Sequence, residues 1–183
     1  GVGAGIVVNG AVWRGDLHTA GEFGHVIAYA GGQAGSRTIE DFCSRTGVVR
    51  TLTTLAGLHP DSAFHEALAR HAADGKAGPL GSGAIAACYE AGDPLVCDVV
   101  HAAADLLGLS IANWVTMMSM RSVVLGGGLT EAIGKPWVDR VEQAMRARIF
   151  PQAIAGKATV RLTKLREEAG VLGAAMLAWD ALG

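Results

Sequence analysis

Arg121-Ser-Val-Val-Leu-Gly-Gly-Gly-Leu129 is too short and too β-branched for a helix, and three glycines close it. It reads as a buried strand that ends in a tight turn. Upstream lies a long apolar run, Asp93 to Ser119, which opens with Asp93 as N-cap and Pro94 at the first helical position. Downstream, Val138, Val141, Met145 and Ile149 fall on one face of a helix from Trp137 to Phe150. A strand from Ala158 to Lys164 and a helix from Ala169 to Leu182 follow. Helix, strand, helix, strand, helix is the order of a layered α/β fold.

The first third of the chain is richer in turns. Gly5 to Arg14 predicts a β-hairpin, because two apolar runs flank Asn9-Gly10, the dipeptide that best accepts positive φ in a two-residue turn. His25 to Tyr29 predicts a third strand, and Gly31 to Gly35 a loop. From Thr38 the period becomes helical, with Ile39, Phe42, Val49, Leu52 and Ala56 near one face and Gly47 as a weak point. Thr38 and Asp41 have the spacing of a capping box. Pro60-Asp61-Ser62 opens a short helix whose face is Phe64, Ala67, Leu68 and His71, and another short helix covers Ile85 to Glu90.

Composition narrows the function classes. Of 183 residues, 50% are hydrophobic and 17% charged, which excludes a disordered tail and predicts one domain with a substantial core. A formal net charge of −2 leaves no basic surplus for binding nucleic acid. Cys43, Cys88 and Cys97 are an odd set without a CxxC, as expected in a reducing, cytoplasmic setting. The most apolar stretch, Val99 to Met120, is interrupted by His101, Asp105 and Asn113, so a buried helix is expected rather than a membrane span. The opening residues show none of the marks of a signal peptide. They are not Met-initiated and lie inside a glycine-rich motif, so a fragment of a longer protein is expected.

Four segments could carry chemistry. Gly1, Gly3 and Gly5 run into the first strand, where side-chain-free backbone can close on an anion or simply start the strand. Gly126, Gly127 and Gly128 follow the strand at Arg121 to Leu125, either at the ligand crevice of an α/β sheet or as a tight turn. Glu22 and His25 lie three residues apart between glycines. They are either a sugar-hydroxyl grip or a solvated glutamate beside a satisfied histidine. Glu40 stands at a helix start, where it also suits the helix dipole. No nucleophile elbow, intact Walker sequence or HExxH is present.

In order and spacing, GVGAGIVVNGAVWRG, TAGEFGHV, VVLGGGL and GAAMLA resemble the C-terminal half of the ROK family of repressors and sugar kinases across nearly all of the chain. The resemblance implies an α/β lobe of the actin-like (RNase H-like) ATPase fold, a mixed sheet with flanking helices. Residues 1–183 would be the C-terminal lobe, without the N-terminal lobe or any helix-turn-helix. Gly1, Gly3 and Gly5 would belong to the second phosphate loop, and Gly126, Gly127 and Gly128 to the adenosine side. Glu22 and His25 match sugar-contacting positions, as does Glu40 in the element Thr38-Ile39-Glu40.

Two departures from the family pattern shape the functional expectation. The family's zinc site uses the histidine of GEFGH and three cysteines in a CxCGxxGC loop. Here Gly31 to Thr38 contains no cysteine, so no structural zinc is expected. The catalytic aspartate of the family's N-terminal lobe is absent, so no catalysis by this lobe alone is expected. The preferred reading is the sugar-sensing domain of a transcriptional regulator that reaches operator DNA through another domain, without its own cofactor. The alternative is one lobe of an ATP- and Mg-dependent hexose or N-acetylhexosamine kinase. Self-association is expected through the long helix or the segments packed on it, with Trp114, Met117, Met118 and Met120 clustered near its C-terminal end.

Overall fold

The computed structural model describes residues 1–31, 37–75 and 77–182. The chain opens with the expected hairpin, β1 (Ile6–Val8) and β2 (Ala11–Trp13), paired antiparallel with Val7 opposite Val12. Asn9 and Gly10 take φ of 52° and 82°, the positive pair that this two-residue turn requires.

His25 to Tyr29 does not form the expected third strand. Phe23–His25 is a single 3-10 turn, and Ile27 makes only an isolated bridge to Thr38. Apolar alternation becomes a strand only when a neighbouring edge pairs with it, and here one bridge is all that Arg37 and Thr38 offer. The helix expected from Thr38 to Ala56 is two helices, α1 (Ile39–Cys43) and α2 (Arg45–Leu55). Ser44 breaks them with an extended ψ of 156°, and its hydroxyl accepts the Gly47 amide at 3.0 Å to start α2. The capping box forms as expected: Asp41 Oδ2 accepts the Thr38 amide at 2.9 Å. The Thr38 backbone bond is the main reason the Asp41 carboxyl is held below its usual range; Arg50 adds to it.

Next come α3 (Phe64–Ala73), which begins a turn later than Pro60 suggests, and α4 (Ser82–Glu90). The centre of the fold is α5 (Pro94–Met118), started by Asp93 and Pro94 and ended by Ser119 in the left-handed region. By length and composition α5 could cross a bilayer. In the fold its Val96, Val100, Ala104, Ile111, Ala112 and Val115 are buried under α1, α2, α4 and α7. Gly108 sets the closest approach, since a Cβ there would lie 2.5 Å from the Val141 carbonyl oxygen.

β3 (Ser122–Leu125) leads into α6 (Gly128–Ile133), an element not foreseen, and α7 (Lys135–Arg146). The amphipathic period expected to reach Phe150 ends as helix at Arg146. Ile149 stays buried, while Phe150 is exposed. β4 (Thr159–Leu162) pairs parallel with β3, and α8 (Ala169–Leu182) closes the chain. The strands form two separate pairs, β1–β2 and β3–β4, with the helical core packed around α5.

Candidate functional site

The Gly1 to Gly5 segment is held by two other parts of the chain, α1 and the turn from Gly21 to His25. Glu40 Oε2 accepts the Val2 amide at 2.7 Å, and the Gly21 carbonyl accepts the Ala4 amide at 2.9 Å. The glycines of the Gly21 to His25 turn are required by this contact. A Cβ on Gly24 would lie 2.1 Å from the Val2 carbonyl oxygen, and one on Gly21, whose φ is 103°, would lie 2.0 Å from that of Ala4. Backbone packs on backbone, which only glycine permits.

Glu22 and His25 share that turn, both well exposed, with His25 Nε2 3.9 Å from Glu22 Oε2. Glu40 sits in the first turn of α1, where its carboxylate braces the loop at Val2. Its neighbour Asp41 is instead used in the capping box and a 3.0 Å bond from Arg50. The fold therefore brings Glu22 and His25 into contact, and ties both their turn and Glu40 to the Gly1 to Gly5 segment.

The two glycine groups meet across one cleft of about 520 Å³. Gly1 to Ile6 line one part of it and Ser122 to Thr130 another. Leu107, Ile111, Trp114 and Met120 supply apolar lining; Ser44, Arg45, Thr46 and Ser82 supply polar lining. Glu22, His25 and Glu40 are not among its lining residues. Gly127 has a φ of 96°, and a Cβ on Gly128 would lie 3.0 Å from Ser82 Oγ, so this turn needs glycine for its own shape. Gly3 and Gly5 differ: a Cβ on either meets nothing within 4 Å, and neither has a positive φ. Among the described residues nothing demands glycine at those two positions.

Sequence reasoning missed Ser44, Arg45, Thr46 and Ser82. The signal was Ser44 three residues before Gly47, an N-cap pattern hidden inside what reads as one continuous helix. Cys43 also lines the cleft, but burial pushes its thiol up to about 12, and its Sγ donates to the Ala103 carbonyl at 3.3 Å. It is a packing group with little thiolate.

The sequence model of the ROK family matches residues 1–181. The chain belongs to the ROK family. It is 30% identical over 182 residues to a glucokinase of Halalkalibacterium halodurans, covering 97% of this chain and 53% of that protein. An N-acetyl-D-glucosamine kinase of Yersinia pseudotuberculosis is 29% identical over 184 residues, at 97% and 55% coverage. The ROK family glucokinase of Streptomyces griseus, solved with glucose and AMPPNP, superposes with a TM-score of 0.79 at 26% identity, over 96% of this chain and 56% of that one. A ROK family transcriptional regulator, a homologue of the E. coli MLC protein, shares the fold with a TM-score of 0.69 at 24% identity, over 87% of this chain and 38% of that one. The chain spans about half the length of the curated relatives it matches. The chain is α/β, with neighbours of the actin-like ATPase fold.

The ROK zinc pattern does not fit this chain. Cys43 is engaged with Ala103 inside the core, and no group of three His, Cys, Asp or Glu side chains suited to a metal occurs among the described residues. Residues 32–36 of the cysteine-free stretch lie outside the described residues. Protein purified without chelator is expected to contain no stoichiometric zinc. Elemental analysis giving about one equivalent per chain would contradict this, because one imidazole cannot replace three thiolates in a four-coordinate site.

Proposed function

We propose that this lobe supplies the sugar-contacting side chains and part of the nucleotide site of a ROK sugar kinase. The supporting observation is that Gly3 and Gly5 line the cleft together with Gly126 to Gly128 while nothing among the described residues requires them to be glycine. Glycine kept where the chain itself has room is what the close approach of an outside group explains. ATP would supply the phosphoryl group. The backbone of Gly1, Gly3 and Gly5 would face its phosphates, and Gly126, Gly127 and Gly128 its adenosine side. Glu22, His25 and Glu40 would take the sugar hydroxyls as fixed acceptors and donors. The relatives with named activities favour this over the regulator preferred from sequence alone. One observation favours the regulator, a sugar sensor acting on operator DNA through another domain: the missing zinc cysteines. Cytoplasmic location and homo-oligomerisation belong to either reading.

The full-length protein tests it. With ATP and Mg²⁺ it is expected to phosphorylate glucose or an N-acetylhexosamine. Sugar binding without any nucleotide binding, together with a sugar-dependent shift of operator DNA, would establish the regulator instead. Glu40→Ala is expected to weaken sugar binding about 10- to 100-fold, the size of one charged hydrogen bond of roughly 1–3 kcal/mol. Gly3→Ala is expected to leave the stability of the 183-residue chain within about 0.5 kcal/mol, a surface-type change. In the full-length protein it should still reduce affinity for AMPPNP in calorimetry. Unchanged affinity would remove Gly3 from the nucleotide site.

A further inference from the structure

Among the described residues that line the cleft there is no carboxylate, and Arg45 is the one charged side chain. Arg45 is exposed and has no ion pair or hydrogen bond from its guanidinium among the described residues. It stands at the first position of α2, a helix of 11 residues with no acidic residue in its first turn. A helix start carries positive partial charge, so an anion is favoured there and a cation is not. Arg45 adds to a positive potential that the chain leaves unbalanced, and local rules are broken in this way at functional sites. The Ser44 hydroxyl takes the Gly47 amide, while the amides of Arg45 and Thr46 have no acceptor among the described residues. Two buried donors line the same cleft. Trp137 is 2% exposed and its indole N–H has no acceptor; Thr130 is 7% exposed and its hydroxyl makes no hydrogen bond among the described residues. Native proteins rarely leave buried donors unpaired, so these two point independently to a ligand rich in acceptors.

Packing fixes where Arg45 can act. Ser44 is 3% exposed, and its amide donates to the Glu40 carbonyl at 3.2 Å. A Cβ on Gly47 would lie 2.3 Å from the Asp41 carbonyl oxygen, so the first turn of α2 rests directly on the backbone of α1. From α1, Glu40 in turn grips the Val2 amide at 2.7 Å. The start of α2 is therefore tied, through α1, to the Gly1 to Gly5 segment. We infer that Arg45 binds the terminal phosphates of a nucleoside triphosphate, and is the side chain by which this chain tells a triphosphate from the nucleoside alone. This rests on the kinase reading of the cleft, in which Gly1, Gly3 and Gly5 face the phosphates and Glu40 the sugar. A guanidinium held next to both meets the terminal phosphate, the group that must reach the sugar to be transferred. Its planar fork of N–H donors matches two phosphate oxygens at once, and its charge offsets the negative charge gathered there.

Calorimetry on the full-length protein, with AMPPNP and Mg²⁺ and separately with adenosine, tests it. Arg45→Ala is expected to weaken AMPPNP binding about 10- to 100-fold, as the loss of one charged hydrogen-bonded contact does. Adenosine binding should be unchanged. Arg45→Lys keeps the charge but not the fork, so its AMPPNP affinity should fall between those of the parent and Arg45→Ala. The urea midpoint of Arg45→Ala should equal or exceed the parent's, because the variant removes a cation from a helix start. Parent-like AMPPNP affinity in Arg45→Ala would overturn the inference. Equal losses for AMPPNP and adenosine, or a lower urea midpoint, would also overturn it, by making Arg45 a structural residue. The kinase reading fails elsewhere, in the parent protein: a parent that binds no AMPPNP removes both. A parent that phosphorylates sugar, beside an Arg45→Ala variant of equal AMPPNP affinity, removes this inference alone.

Discussion

Gly24→Val is expected to abolish sugar response and to destabilise the lobe by about 3 kcal/mol or more, at the upper end of overpacking changes. The first added atom would lie 2.1 Å from the Val2 carbonyl oxygen, so the Gly1 to Gly5 segment must move. Moving it breaks the 2.7 Å bond from Val2 to Glu40 and shifts the two residues on either side of the turn, Glu22 and His25. Urea unfolding gives the stability change, and calorimetry with glucose on the full-length protein gives the binding change. A variant that unfolds at the parent's midpoint and binds sugar normally would show that this backbone contact is not needed. Gly3→Ala is the matched control, because its Cβ meets nothing within 4 Å.

Asp93→Ala is expected to cost about 3 kcal/mol, because one buried carboxylate holds together the starts of two helices. Its Oδ1 accepts the Val96 amide at 2.9 Å and the Ser62 hydroxyl at 3.0 Å, and its Oδ2 accepts the Ala63 amide at 2.7 Å. Asp93 is only 6% exposed, so the variant leaves donors in the interior without partners. Burial alone would raise its pKa, but the bonds from Val96, Ala63 and Ser62 outweigh burial and hold the carboxyl below its usual range. A depressed folded pKa means the unfolded chain binds the proton first as pH falls. The stabilisation is therefore complete above the ordinary carboxylate value and lost as pH drops through the folded one. The parent's advantage over Asp93→Ala in urea midpoint should be constant from neutral pH to about pH 5 and shrink below about pH 4. An advantage that is the same at neutral pH and at pH 3 would show that the charge contributes nothing.

The same Asp93 shows what could be read from the sequence and what could not. Its role as the cap of α5 follows from Asp-Pro before an apolar run; its bonds to Ser62 and Ala63, some thirty residues away, do not. Glu40 repeats the lesson. Its place at a helix start was readable, but its grip on Val2, 38 residues earlier, was not. Ser44 was overlooked because the apolar period runs on through the break between α1 and α2, and α6 because its six residues carry too little period to register.

By itself the sequence determined the elements whose signals are local: the Asn9-Gly10 turn, the Thr38–Asp41 capping box, the start of α5 and the glycines after β3. Each is set by φ preferences or by hydrogen bonds reaching three or four residues, and the spelling of the chain contains them. Through the resemblance carried by its glycine and GEFGH motifs it also determined the family. Only the tertiary structure decided that His25 to Tyr29 is not a strand, that Glu40 braces Val2, that the two glycine groups line one cleft, and that β3 pairs parallel with β4. These depend on which distant edge or carbonyl lies alongside a residue. Packing around α5 fixes that, and no pattern within a few residues of the chain contains it.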